Sequence, residues 1–262
     1  MIEFNCSFYL ASTPTRSIGR AHTYRITKSE MGIYGEVYTG NLIRSLGVHY
    51  GDYVNSTGAA IWRIHNLYSG PSVGRIQIHS EKHKSQAVTG NIGEAVVMPA
   101  LGAAMGVVRI PFQRMKAHNL RCPDFRFYCD WVQLDRLWNT SCSSMSNLPN
   151  DMPLEVKTHL GRDEGYPLDA LEQLLKYWYE CSSNGYASAV GFGVIARVDL
   201  DVNKNSGSNH HFIRYLLFVP RTGFSLARFE RGFKIIKSTD FKKKYKTEYK
   251  QKFIRWLGRY FI

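Results

Sequence analysis

Pro153-Leu154-Glu155-Val156-Lys157-Thr158 is the stretch from which the rest of the chain can be ordered. Its composition predicts a strand, and period-two alternation sets Glu155 and Lys157 on one side with Leu154 and Val156 on the other. Two charges on one face beside apolar neighbours are costly unless they are paired or hold a metal. Upstream, Cys122-Pro123-Asp124-Phe125 opens a second predicted strand over residues 125–132, and residues 107–112 predict a third.

Residues 84–98 carry Ala87, Val88, Ile92, Ala95 and Val96 near helical spacing, with Pro99 expected to end or kink the helix. Downstream, Leu168, Leu171, Leu174, Leu175 and Trp178 recur at three- and four-residue intervals, with Asp169 and Glu172 near the start, predicting an amphipathic helix. Apolar runs over residues 187–198 and 212–219 predict buried strands. The order is helix, three strands, helix, strand, strand. That order predicts an α/β fold, a central mixed β-sheet flanked by helices. Three regions are expected: residues 1–80, β-rich and suited to DNA recognition; residues 81–222, the core; and residues 223–262, a basic amphipathic helical tail.

Phosphodiester hydrolysis gives a reason for two acids and a lysine on adjacent strands. Carboxylates can hold Mg²⁺, the metal polarises a phosphoryl oxygen and acidifies a water, and an ammonium positions that water or offsets developing charge.

Asp124 followed by Glu155-Val156-Lys157 resembles the PD-(D/E)xK nuclease superfamily, which includes type II restriction endonucleases and RecB-like exonucleases; the resemblance covers roughly residues 84–200. It implies a restriction-endonuclease-like core, with Asp124 and Glu155 as metal ligands and Lys157 as the catalytic lysine. Glu94, on the helix before the first strand, stands where family members often place a further metal ligand. Gln173 and Tyr177 match the Gln-x-x-x-Tyr motif of the RecB-like branch, Gln173 as a catalytic helper and Tyr177 as a DNA contact. The implied cofactor is Mg²⁺, with Mn²⁺ as a substitute. The implied function is DNA cleavage by a type II restriction endonuclease working as a homodimer. A RecB-like exonuclease of repair, recombination or phage DNA processing is the alternative within the family, and a catalytically silent DNA-binding module is the alternative outside it.

Lys and Arg exceed Asp and Glu by 13 charges, which favours a polyanionic partner and puts DNA ahead of a membrane. Much of that surplus lies in residues 234–262, where Phe241, Tyr245, Tyr249, Phe253, Trp256 and Tyr260 predict one aromatic helix face. Lys242, Lys243, Lys244 and Lys246 on the opposite face are candidate DNA contacts. The stretch MIEFNCSFYLASTPTR lacks the basic start and continuous apolar run of a secretory signal, and no run reaches the ~20 apolar residues of a membrane span. A cytoplasmic protein, nucleoid-associated if bacterial, is expected.

Other motifs fit less well. His118, Cys122, Cys129 and Cys142 lack the paired ligand turns of a structural zinc site, and one cysteine, Cys181, follows the Gln173 helix where an iron–sulfur cluster would need more. Gly32-Ile33-Tyr34 and Tyr38-Thr39-Gly40 lie too close together for a GIY-YIG nuclease. Gly191-Phe192-Gly193 precedes a predicted strand instead of opening a helix, so it cannot cradle a dinucleotide. His210 and His211 are read as exposed loop histidines.

Overall fold

Asp151–Leu160 forms the long strand expected around Glu155, with Met152, Leu154 and Val156 buried against one core. The computed structural model describes residues 2–27, 86–108, 110–115, 122–160, 168–200 and 211–262. Among these, seven strands form one mixed sheet: β1 (Ile2–Leu10), β2 (Ile18–Ile26), β3 (Phe112–Arg114), β4 (Phe125–Tyr128), β5 (Asp151–Leu160), β6 (Gly193–Leu200) and β7 (His211–Phe218). Their spatial order is β2-β1-β7-β6-β5-β4-β3. β3, β4 and β5 are antiparallel in series, β6 is parallel to β5, β7 is antiparallel to β6, and β1 is parallel to β7. The chain is therefore α/β, as its periodicities predict. The first part of the expected N-terminal region, residues 2–27, pairs into this same sheet as β1 and β2. Residues 74–79 and the two glycine–tyrosine motifs lie outside the described residues.

Helix α1 (Gln86–Met105) covers one face of the sheet. It runs through Pro99 instead of ending there. Ala95, Val96, Val97, Met98, Ala100 and Leu101 on both sides of the proline are buried, and that packing offsets the backbone hydrogen bond a proline forgoes. The helix lies hard on β5: a Cβ at Gly93 would stand 2.0 Å from Thr158 Oγ1 and 3.0 Å from Val156 Cγ1. Gly93→Val should therefore cost roughly 1–3 kcal/mol of stability or more through overpacking, measured by urea unfolding. An unchanged midpoint would show that α1 can lift off β5.

The strand expected over residues 125–132 ends early. Asp130 caps a helix, α2 (Trp131–Trp138), its carboxylate accepting from the Val132 and Gln133 backbone N–H groups at 3.0 and 3.3 Å. Trp138 from α2 packs edge-on to Phe8 and Tyr215, which fixes α2 over the same face as α1.

Helix α3 (Leu168–Ser183) connects β5 to β6 and packs on the opposite face. Trp178 anchors it, donating its indole N–H to the Phe192 carbonyl at 2.8 Å within a cluster that includes Phe218, Phe229 and Phe261. The tail is three helices and not one: α4 (Leu226–Lys237), α5 (Thr239–Lys244) and α6 (Tyr249–Leu257). Ser238 accepts from the Phe241 N–H at 3.2 Å and starts α5, and a turn over residues 245–248 separates α5 from α6. Phe253 and Trp256 are buried as the aromatic spacing predicts, in the core that holds α3. None of the described helices is long and apolar enough to cross a membrane.

Candidate active site

Antiparallel pairing of Phe125 with Leu154 sets the end of β4 beside the middle of β5. Asp124 stands in the bend immediately before β4, one residue ahead of the strand it was expected to open. Its Oδ2 accepts from the Val156 backbone N–H at 2.8 Å, which holds the carboxylate against β5. Alternation along β5 turns Glu155 and Lys157 to the face that α3 covers, while Val156 faces α1. The Lys157 ammonium lies 2.5 Å from Glu155 Oε1 and donates to Gln173 Oε1 at 2.7 Å. Gln173 Nε2 in turn donates to the Cys122 carbonyl at 3.2 Å. One side chain of α3 thus ties the lysine on β5 to the turn that carries Asp124.

Glu155 is 1% exposed, and neither carboxylate oxygen receives a hydrogen bond of ordinary geometry. The short approach of Lys157 to Oε1 is an ion pair. Burial pushes the Glu155 carboxyl well above the usual carboxylate range, and the neighbouring Asp124 charge pushes it the same way against the opposing pull of Lys157. A buried acid with unfilled lone pairs, beside a second acid, is a site that a cation would relieve. Mg²⁺ takes one or two carboxylates and completes its shell with water and phosphate oxygens, so Asp124 and Glu155 fit it.

Four expected site residues, Asp124, Glu155, Lys157 and Gln173, therefore come together. Glu94 does not join them as a third ligand: among the described residues no group of three or more His, Cys, Asp or Glu side chains is placed to share a metal. Its helix packs on the Val156 and Thr158 side of β5, across the sheet from the Glu155 carboxylate. Tyr177 also departs from expectation. It is 7% exposed among the residues that pack α3, and burial raises its hydroxyl far above the ordinary phenol value, with Cys181 as its hydrogen-bond neighbour. A buried phenol of this kind braces the helix and does not present itself to a DNA strand. Lys242, Lys243, Lys244 and Lys246 are exposed, with Lys242 and Lys244 resting over the rings of Tyr249 and Tyr245. His211 is a correction of another kind: it is 1% exposed at the start of β7, its ring 5.2 Å from that of Phe4. His210 lies outside the described residues.

The sequence reading passed over Arg197, Asp199 and Arg214, which lie on the Glu155 face of the next two strands. Arg197 Nε donates to Asp199 Oδ1 at 2.8 Å, and Arg214 Nη2 lies 3.0 Å from Asp199 Oδ2. The available signal was Arg197-Val198-Asp199, two charges alternating inside an apolar run. No protein-family model, curated protein or solved structure matches the chain.

Proposed function

We propose that the chain is a Mg²⁺-dependent deoxyribonuclease of the PD-(D/E)xK kind, hydrolysing phosphodiester bonds of DNA. The observation that carries this reading is the contact chain from Cys122 through Gln173 and Lys157 to Glu155, with Asp124 beside it. The order of elements supports it, since the acid-bearing turn and the Glu-x-Lys strand are neighbours and the Gln173 helix follows directly.

Asp124 and Glu155 would hold the ion. When bound, Mg²⁺ supplies Lewis-acid polarisation of the phosphoryl oxygen and lowers the pKa of the attacking water. Lys157 is 30% exposed on its side chain, so its ammonium reaches both the buried acid and solvent. Of its three N–H donors one points to Gln173 and one lies against Glu155, which leaves a third for the water or a phosphate oxygen. Gln173 fixes the lysine in that position. Glu155 would serve as a carboxylate ligand, its charged form favoured by the ion and by Lys157.

Within this chemistry a type II restriction endonuclease, acting as a homodimer so that two sites meet two strands, is the reading we carry forward. The place of Gln173 favours a RecB-like exonuclease as the second reading. Incubating the wild-type chain with supercoiled and linear plasmid DNA, with Mg²⁺ or with a chelator, tests all of these. Discrete Mg²⁺-dependent fragments are expected for the first reading, and loss from the ends supports the second. DNA binding without cleavage of any DNA form would remove the enzyme and leave a binding module.

A further inference from the structure

The sheet face that bears Glu155 and Lys157 is divided. At one end Ile195, Leu216 and Phe218 pack under the helices, as an amphipathic sheet requires. Two residues further along β6 and β7, at the next position on the same face, the character changes. β5 and β6 pair Lys157 with Arg197, β6 and β7 pair Arg197 with Arg214, and β7 and β1 pair Arg214 with Ser7. Adjacent strands are about 4.8 Å apart, so Lys157, Arg197 and Arg214 start from a row roughly 10 Å long across three strands.

Within that row the two arginines have different surroundings. The Arg197 side chain is 7% exposed and Asp199 is 1% exposed. Arg214, whose side chain is 35% exposed, forms an ion pair with the same carboxylate, its Nη2 3.0 Å from an Oδ2 that receives no hydrogen bond of ordinary geometry. A guanidinium carries five N–H donors in a planar fork, so one anchored nitrogen leaves donors directed elsewhere. An ion pair with a buried acid, itself hydrogen-bonded by a second arginine, keeps the Arg214 guanidinium at this face without consuming its hydrogen-bonding fork. A fixed guanidinium fork suits the paired oxygens of a phosphodiester.

We propose that Arg214 binds a backbone phosphate of the DNA strand on the flank of the scissile position, with Asp199 as its positioning residue. The row from Lys157 to Arg214 is then the track along which the strand leaves the site. This subsite rests on the nuclease reading for its orientation, but its binding can be measured without cleavage.

The test is equilibrium binding of a fluorescent DNA duplex over a range of salt concentrations in chelator, with the wild type, Arg214→Gln and Arg214→Lys. Each phosphate contact contributes about 0.9 to the slope of log affinity against log salt, so Arg214→Gln should lower the slope by about that amount. Arg214→Lys should keep the slope and lose several-fold in affinity, because it keeps the charge and loses the fork. Asp199→Asn should weaken binding in the same direction as Arg214→Gln. A folded Arg214→Gln protein with an unchanged slope overturns the proposal, even if its melting temperature falls, since that is the result of a purely structural ion pair. Should Arg214→Gln fail to fold, phenylglyoxal modification of the wild type decides: DNA should protect Arg214, and equal labelling with and without DNA overturns the subsite. A lowered slope in a chain that never cuts DNA would keep the subsite and remove the nuclease. Cleavage with an unchanged slope would do the reverse.

Discussion

Asp124→Asn is expected to reduce Mg²⁺-dependent DNA cleavage by about three orders of magnitude, because Lewis-acid stabilisation is worth several kcal/mol and each 1.4 kcal/mol is roughly tenfold. The same substitution should leave the fold intact or strengthen it. An asparagine oxygen can still accept from the Val156 N–H, so the contact that holds the turn to β5 survives. What disappears is a negative charge beside a buried acid, and that charge is one of the causes that raise the Glu155 carboxyl. Asp124→Asn should therefore melt at or above the wild-type temperature near neutral pH in chelator. Lys157→Met removes the charge that favours the Glu155 carboxylate, so it should lose about two to three orders of magnitude in rate and shift the acid limb of the pH–rate profile to higher pH. Cleavage by Asp124→Asn at the wild-type rate would end the assignment of the site. A loss of stability in Asp124→Asn would show that the pair is a supporting contact and not a repulsive one.

The second large effect is on the response of stability to metal and pH, and it centres on Glu155. A ligand at 100 times its Kd stabilises the folded state by about 2.7 kcal/mol, so Mg²⁺ should raise the wild-type melting temperature by several degrees. Glu155→Gln should abolish that rise. In chelator the folded-state pKa of Glu155 lies above its unfolded value of about 4.5, so the folded protein keeps a proton that the unfolded chain has lost. The stability tied to that proton is fully present below pH 4.5 and is lost as pH rises through the folded-state value. Wild-type stability should fall across that window and Glu155→Gln should lack the fall, ending as the more stable protein on the alkaline side. Mg²⁺ reverses the trend by binding the ionised form, so its stabilising effect should grow with pH in the same window. A pH-independent difference between the two proteins, or a Mg²⁺ shift that persists in Glu155→Gln, would contradict this account of the site.

The acids and the lysine were legible in the sequence because a strand enforces alternation, and a charged pair on the face opposite the apolar Leu154 and Val156 leaves few explanations. Gln173 was legible through its resemblance to the Gln-x-x-x-Tyr motif of the RecB-like branch, on a helix whose existence the strong periodicity of α3 predicts. Tyr177 shares that helix face, yet i and i+4 on one stripe reach different depths once the helix lies across β5. Helix α2 was missed because Phe125 to Val132 is rich in strand-forming aromatic residues, and the stop is a capping carboxylate, Asp130, whose meaning appears only when the chain turns. Pro99 was expected to end or kink the helix because local propensity favours those outcomes; the helix continues past it, supported by burial of the residues on both sides. Arg197 and Asp199 sat within a run read as an ordinary buried strand. Their relation to Lys157 depends on parallel pairing between β5 and β6, and such non-local register has no local signature.

The partner of β1 is another non-local choice. Phe4 pairs with His211 and Leu10 with Leu217, so strands about two hundred residues apart share a ladder, one strand in from the β2 edge of the sheet. During synthesis β1 and β2 emerge before β7, so the β1 edge that β7 pairs with has no partner strand until β7 has been made. Closing so long a loop is entropically costly, and an unsatisfied strand edge invites pairing with other chains. Completion of the sheet is thus a late step in folding, and expression conditions that slow aggregation or shelter that edge should govern the yield of active protein more than the stability of the finished fold does.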